Sequence, residues 1–492
     1  MSHRTNALTS LLKTEALRWV AIALFCAIAG CEVGPNFSRP DSPSDTHYVN
    51  GGDPTTTTSA GGSVQTFDQN AKLTADWWRL FNSPKVDAVI NEALINNPGL
   101  QAAQASLRQS QDLLSSGYGV FYPQVNADAS ATRQKFSPAG LGQSSPPSIF
   151  NLFTLTTSVS YALDVFGGER RAVEGLAAQV DLQRNTERAA YLTLSANIAN
   201  AMIAQAAYRA EIAATQQLIE QQRKQVQLAQ VQTRAGTAPY STVLALQSQL
   251  ATYEATIPQL QQRLGQTDDL LAILVGHTPA EWIAPRIDFV DLTLPSNLPL
   301  SLPSSLTGQR PDILVAEANL HAASANIGVA TANMLPSITL SADYGVNNTS
   351  LNNLISSNST FWGLGANITA PIFEGGTLWY KRQAAIDDCQ QSAALYRQTV
   401  LGAFTQVADT LRALQHDAEI LGAQDDAMAA AQQALHLVQA NYQAGLANYS
   451  DVLIADVQFQ QAKIADIQAV AVRYQDTVAL FVALGGGWWN AK

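Results

Sequence analysis

The chain has 492 residues, of which 47% are hydrophobic and 14% are charged, and its formal net charge is −11 at pH 7. This acidic balance argues against nucleic acid as a partner. The three cysteines and six histidines lack the spacing of metal ligands, and no nucleophile–base motif is present, so the sequence predicts neither an enzyme nor a cofactor.

Residues 1–30 are predicted to be a signal peptide. Arg4, Lys13 and Arg18 precede an apolar run that ends at Ala29 and is too short to span a bilayer. The junction with Cys31 resembles the bacterial lipobox, in which the cysteine is lipidated and becomes the first mature residue. The sequence therefore predicts covalent lipid, such as palmitate, on Cys31. An ordinary signal peptide with an incidental cysteine is the alternative.

Residues 31–70 are predicted to form a lipidated N-terminal tether. Gly, Ser, Thr, Pro and Asp dominate this segment, and such a composition is typical of an extended chain. Glu32 follows the cysteine. Because a lipoprotein retained in the inner membrane usually carries Asp at this position, Glu32 favours the outer membrane.

The remainder of the chain contains an internal duplication. The segment that begins at Pro98 is matched, nearly in register, by a segment that begins at Pro311. A period this long is not that of a solenoid. It predicts a first repeat over residues 71–309 and a second over residues 310–492, each with a helix, two strands and a long helical hairpin.

Four runs of alternating apolar and polar residues are predicted to be strands. Each has about the length of a tilted transmembrane strand, with one face for lipid and one for a wet lumen. A strand of a soluble sandwich would also alternate, but two equivalent pairs behind a lipobox favour membrane strands. The runs cover approximately residues 123–134, 152–165, 336–347 and 361–373.

Two long helical hairpins are predicted, over about residues 168–276 and 376–485. Residues 372–492 contain no proline, so a helix of roughly 100 Å is permitted there. Apolar residues recur in it at seven-residue spacing, which indicates coiled-coil packing. These residues are Val400, Val407, Leu414, Leu421, Met428, Leu435 and Tyr442.

Four strands cannot close a barrel, and an open sheet in hydrocarbon leaves two edges of unpaired backbone groups. Copies of the chain must therefore complete the sheet. Two copies would give eight strands with a filled interior, whereas three would give twelve strands and room for a channel. The sequence predicts a homotrimer: a 12-stranded transmembrane β-barrel, four strands per chain, continued by a long periplasmic α-helical coiled-coil barrel.

Several motifs in this order resemble the outer membrane factor family, the TolC/OprM-like proteins, and within it the NodT-type efflux lipoproteins. The lipobox continues into Gly34-Pro35 and Phe37, similar to the C-x-x-G-P-x-[YF] start of that branch. Further matching segments include Trp77-Trp78-Arg-Leu-Phe81, Asn97-Pro98-Gly-Leu100, Gln309-Arg310-Pro311-Asp312, Leu335-Pro336 and Pro371-Ile-Phe-Glu-Gly375-Gly376. Together they cover essentially the whole mature chain.

The resemblance implies a lipid-anchored protein of the outer membrane of a Gram-negative bacterium that extends into the periplasm. It implies the exit duct of a tripartite efflux system, as in multidrug resistance, which passively conducts small molecules. The implied partners are a periplasmic adaptor protein and an inner-membrane pump, usually of the resistance–nodulation–division (RND) type. Two alternatives stay open: the outer-membrane channel of an ABC-type secretion system, and a non-conducting structural lipoprotein of the envelope.

The turns of the two hairpins are the predicted adaptor-docking tips. Glycine ends the first helix of each hairpin, and Tyr-Ser opens the second. A purely structural interpretation is equally open, in which Gly caps one helix and Ser or Asn caps the next. The residues are Gly236, Tyr240, Ser241, Val243, Leu244, Gly445, Tyr449, Ser450, Val452 and Leu453.

A gate is the second predicted site. In a three-fold tunnel, an inward acidic residue appears three times and forms a charged ring. Asp451 and Asp456 are the candidates, with Arg234 and Tyr449 as possible partners. Relatives often carry Asp directly after the Val-Leu pair, but this chain has Ile454 there, so the family's gate does not transfer residue by residue.

Overall fold

The structure, a computed structural model, describes residues 32–59, 63–69, 71–138, 142, 144 and 146–490. The predicted signal peptide and Cys31 lie outside the described residues. The chain divides into two compact units. The first contains the described residues up to Arg39 together with residues 108–182 and 316–396, and the second contains residues 40–107, 183–315 and 397–490.

The described helices and strands follow the same order in both halves of the chain. The first half contains β1 (Thr66–Asp68), α1 (Pro84–Asn96), α2 (Pro98–Gly117), β2 (Gln124–Phe136), β3 (Ser148–Leu163), α3 (Gly168–Arg234) and α4 (Tyr240–Val275). The second contains β4 (Asn297–Pro299), α5 (Pro303–Leu306), α6 (Pro311–Ala332), β5 (Ser337–Asn348), β6 (Thr360–Thr369), α7 (Thr377–Gln443) and α8 (Tyr449–Ala483). The equivalent helices α3 and α7 both have 67 residues.

Two of the strands end earlier than the sequence pattern predicts. The run expected to reach residue 165 stops at Leu163, because the Asp164 carboxylate accepts hydrogen bonds from the backbone N–H groups of Glu169 and Arg170 and so starts α3. The run expected to reach residue 373 stops at Thr369. Pro371 follows, and proline cannot donate to a strand ladder.

The second unit is built around an aromatic cluster. Trp77 and Phe81 lie on one short 3-10 helix, and their rings pack against Phe481 of α8 at centroid distances of 5.5 and 6.2 Å. All three side chains are fully buried. The Trp-Trp-x-x-Phe segment thus docks the beginning of the first repeat onto the end of the second.

The described part of the N-terminal segment makes side-chain hydrogen bonds to distant parts of the chain, which its composition does not predict. Within the second unit, the buried guanidinium of Arg473 donates to Gln65 Oε1 at 3.1 Å and to Thr57 Oγ1 at 3.4 Å. Next to these residues, β1 pairs in parallel with β4. Side-chain hydrogen bonds therefore order a segment whose own sequence has little tendency to fold.

Among the described residues, no helix combines the length and apolar character needed to cross a bilayer.

Candidate functional site

The four-stranded sheet of the first unit has one apolar face. Its strands pair in the order β2-β3-β5-β6, and every neighbouring pair is antiparallel. The register aligns the apolar residues in rows across the strands. One row is Val125, Val159, Ala342 and Leu364, and the rows beside it are Tyr161, Leu340 and Ala366, and Ala127, Thr157, Tyr344 and Trp362. Within the observed strands, the sequence prediction of which residues share this face is confirmed.

The opposite face of the same sheet is polar. Its rows include Gln124, Ser160, Ser341 and Gly365, then Asn126, Ser158, Asp343 and Gly363. Two acidic side chains, Asp128 and Asp343, lie on this face and none lies on the apolar one within these strands. Such a sheet separates an apolar medium from an aqueous one.

The apolar face is uncovered in the single chain. Trp362 is 72% exposed and Leu364 is 79% exposed, and neither is part of a core. Beyond the end of the sheet that leads into the helices, further exposed aromatic side chains follow, namely Tyr122, Phe373, Trp379 and Tyr380. Aromatic residues at the margin of an apolar surface are typical of a membrane–water interface.

Both outer strands of the sheet are open. Within the described residues, β2 pairs only with β3 and β6 pairs only with β5. Each therefore presents a row of backbone N–H and C=O groups on its outer side, ready to pair with another strand.

In the second unit, the heptad residues of α7 become more exposed toward the turn. Val407 and Leu414 are fully buried, Leu435 is half-buried, and Tyr442 at the end of the helix is exposed. The part of the predicted coiled-coil seam nearest the turn therefore lacks a partner within one chain, which is consistent with packing against another copy.

The two hairpin turns have the same backbone geometry. Gly236 and Gly445 have φ angles of +75° and +74°, and the N–H groups that follow them donate back to Gln232 and Asn441 at 2.9 and 2.8 Å. These bonds close each helix in a Schellman-type cap. Asn448 caps α8 in a reciprocal pair with Asp451, as expected. The expected Ser cap is not observed, because Pro239 occupies the N-cap of α4.

The structure separates the predicted docking residues into two groups. Val243 and Leu453 are each 1% exposed and Val452 is also buried, so these three side chains pack inside the hairpins. Gly236, Tyr240, Ser241, Leu244 and Gly445 are exposed, while Tyr449 and Ser450 are half-buried. An exposed residue that the sequence analysis missed is Leu446, which directly follows the glycine of the second turn and is 80% exposed.

The predicted gate residues make local contacts in the single chain. Asp451 accepts a hydrogen bond from the Asn448 N–H, and Asp456 accepts one from Gln460 Nε2 at 3.2 Å. Arg234 donates to the carbonyl of Gln230 in its own helix. The structure therefore does not bring the four candidates together within a chain, and their role as a gate stays a prediction about an assembly.

A feature that the sequence analysis missed is a pair of carboxyl–carboxyl contacts between α7 and α8. Asp417 forms a side-chain hydrogen bond with Asp476, and Asp466 forms one with Asp425. Burial, followed by the bond to and charge of the partner, raises the pKa of Asp417 to about 7 and that of Asp466 to about 6. Each pair thus retains a proton well above the ordinary range of aspartate.

Comparison with known proteins identifies the family. The family model described as outer membrane efflux protein matches residues 89–277 and 302–486, well over half of the chain and once in each repeat. The chain belongs to the outer membrane efflux protein family. The resemblance given by the motifs is therefore confirmed.

Relatives in this family match along most of their length. The chain is 29% identical to the pyoverdine export outer membrane protein OpmQ of Pseudomonas aeruginosa, over 85% of this chain and 88% of OpmQ. It is 30% identical to the toluene efflux pump outer membrane protein TtgF of Pseudomonas putida, over 96% of this chain and 97% of TtgF.

The fold also matches a solved outer-membrane channel. The structure of OprN superimposes with a TM-score of 0.83 at 26% identity, covering 93% of this chain and all of OprN. Members of this family are efflux channels and not enzymes.

Proposed function

We propose that this chain is one third of an outer-membrane exit duct that conducts small molecules out of the cell as part of a tripartite efflux system. The observation that carries the proposal is the sheet of the first unit, with one exposed apolar face, one polar face and two open edges. Hydrocarbon cannot satisfy the backbone groups of an open edge, so the sheet requires additional strands.

Three copies of the chain supply those strands in the simplest way. Pairing β6 of one copy with β2 of the next gives twelve strands around an open lumen, whereas two copies would give eight strands and a filled interior. The polar rows then line the lumen, and the apolar rows face lipid. The exposed end of the α7 heptad pattern gains its partners from neighbouring copies in the same assembly.

The position of the N-terminal segment supports a lipid anchor at the helical end of the sheet. Glu32 is the first described residue, and the next N–H, that of Val33, donates to the Phe166 carbonyl at 3.1 Å, just past the end of β3. Cys31 directly precedes Glu32, so a lipid on Cys31 would enter the leaflet at the end of the sheet that leads into the helices. This arrangement fits the outer membrane of a Gram-negative bacterium, with the helices in the periplasm.

The partners follow from the proposed duct. A passive channel supplies no energy, so an inner-membrane pump, here of the RND type, drives transport through a periplasmic adaptor that contacts the hairpin tips. The relatives are described for export of pyoverdine in one case and toluene in another. We infer that the duct accepts varied small molecules and that the pump selects among them.

The test uses the full-length lipoprotein purified in mild detergent. We expect three copies per particle, a band on denaturing gels that shifts on heating, and ion conductance in planar bilayers. A monomeric particle whose migration does not change on heating would overturn the proposal. A trimer with the heat-sensitive band but without conductance in any state would instead indicate the structural lipoprotein.

A further inference from the structure

One end of the sheet carries an isolated pair of cations. Between residues 129 and 163 and between residues 344 and 373, the sequence contains two charged side chains, Arg133 and Lys135. Both are basic, both belong to β2, and both are exposed. All other positions in these two stretches, which include the far halves of the strands and the connections between them, are uncharged.

The two cations share a face of the sheet. They are two residues apart, so they lie on the same side of the strand as Val125, Ala127 and Ala129, which is the apolar face. Arg133 lies opposite Asn151 of β3 and donates from Nη1 to Asn151 Oδ1 at 3.3 Å. This bond holds the guanidinium on the outer surface of the strand pair.

The position of Arg133 and Lys135 along the barrel axis follows from the register of β2 with β3. The apolar residues of β3 begin at Leu163, beside the helices, and continue to Phe153. Those ten steps span about 34 Å along the strand, or about 26 Å along the axis for a tilt of ~40°. An outer-membrane barrel has an apolar band about 25 Å tall. Asn151 is the next residue on this face, so its partner Arg133 lies just beyond the band.

The loop end of the sheet is the end remote from the helices, because β2 and β3 are connected there while β3 leads into α3 at the other end. If the helices lie in the periplasm, the cations reach the head groups of the outer leaflet. A basic residue on the lipid face is strongly disfavoured at the bilayer midplane and is tolerated near the interface. The pair is therefore located where its charge is tolerated and where lipid phosphate is available.

We propose that Arg133 and Lys135 form a binding site for the phosphate groups of the phosphorylated glycolipid of the outer leaflet. The inference rests on the proposed function, since it requires the sheet to cross the outer membrane. A guanidinium binds phosphate through paired hydrogen bonds, and an ammonium adds a mobile point charge. With a net charge of −11, the chain as a whole offers no general attraction for anionic lipid. A trimer would carry three such sites.

The test compares lipid binding by wild type and by the double variant R133Q/K135Q, each purified as the full-length trimer. Native mass spectrometry with added bisphosphorylated lipid A is expected to show at least tenfold weaker binding by the variant. Dephosphorylated lipid A should bind wild type as weakly as the phosphorylated form binds the variant. The control variant R223Q/K224Q removes an exposed Arg-Lys pair on α3 and should bind like wild type.

Two results would overturn the site: equal binding of phosphorylated lipid A by wild type and by R133Q/K135Q, or equal binding of phosphatidylglycerol and phosphorylated lipid A by wild type. The second result would mean that any anionic head group suffices. Heat-dependent migration and conductance are measured on the same samples. If heat-dependent migration and conductance are retained while the double substitution leaves lipid binding unchanged, the result supports the duct and contradicts only the lipid site. If wild type lacks both, the proposed function itself fails.

Discussion

Asp417 of α7 and Asp476 of α8 share a hydrogen bond between their carboxyl groups, which only a protonated carboxyl can donate. Asp417 is buried, and burial together with its partner raises its pKa to about 7. In the unfolded chain its pKa is about 3.9. As pH rises between these values, the unfolded state loses its proton before the folded state does, so the free energy of unfolding falls.

We therefore predict that the protein loses stability as the pH rises from about 4 to about 7, by an amount on the order of a few kcal/mol. The double variant D417N/D466N should lose most of this dependence, because an amide donates to the partner carboxylate at any pH. Thermal unfolding midpoints across this range measure the effect. The exposed Asp409, changed to Asn, is the control. A wild-type midpoint that rises with pH would contradict the assignment.

These pairs could not be predicted from the sequence. Asp417 and Asp476 belong to different helices, and each lies in an otherwise ordinary heptad pattern. Their contact depends on the register of the hairpin, which the turn at Gly445 sets. The second pair, Asp425 and Asp466, lies about two turns closer to the tip of the same hairpin and depends on that register in the same way.

The strands and long helices could be predicted because their periods are local. The alternation of Val159 with Ser158 and Ser160 indicates a strand with one apolar and one polar face. The observed register agrees with this assignment of faces. The order of the N-terminal segment could not be predicted, since its composition is that of a flexible linker. Its structure depends on partners such as Arg473, which are hundreds of residues away along the chain.

If the sheet forms the wall of the proposed trimeric duct, a charge on its apolar face should prevent assembly, whereas a charge on its polar face should not. Val159 and Ser158 are neighbours on the central strand β3 and lie on opposite faces. V159R should cost about 2–4 kcal/mol near the middle of the membrane. S158R lies opposite Asp343, which can pair with it. The measurement is the amount of heat-sensitive trimer in outer membranes; equal amounts from the two variants would contradict the assignment of faces.

The buried Arg473 should be required to order the N-terminal segment. Its guanidinium donates to Gln65, Thr57 and the Ser63 carbonyl, so R473M would leave these buried groups without their donor. Each buried acceptor that is left unpaired costs about 1–3 kcal/mol. We expect faster hydrogen exchange in residues 57–59 and 63–65 and a lower unfolding midpoint. The exposed Arg412 of α7, changed to Met, should alter neither measurement.

Gly34 should be irreplaceable in the segment that begins at Glu32. Its φ is +95°, and a Cβ there would lie 2.5 Å from the Gly328 Cα on α6. G34A would therefore push the segment off the helix and weaken two contacts beyond it: the Asn36–Arg171 hydrogen bond and the stacking of Phe37 on His321 at 4.2 Å. Proteolysis between residues 32 and 39 should accelerate. G119A, where a Cβ meets nothing within 4 Å, is the control.

The tips provide a test that separates docking from folding. Leu244 and Leu446 are exposed at the two turns, so L244D/L446D should leave the amount of trimer and its unfolding midpoint unchanged. If the adaptor packs on these residues, the variant should fail to restore resistance to dyes and antibiotics in a deletion strain.

L453A instead removes a buried side chain and should lower the free energy of unfolding by about 2–5 kcal/mol. The matched control I283D/V290D adds two charges at exposed apolar positions outside the turns. Full resistance from L244D/L446D would exclude these leucines from docking.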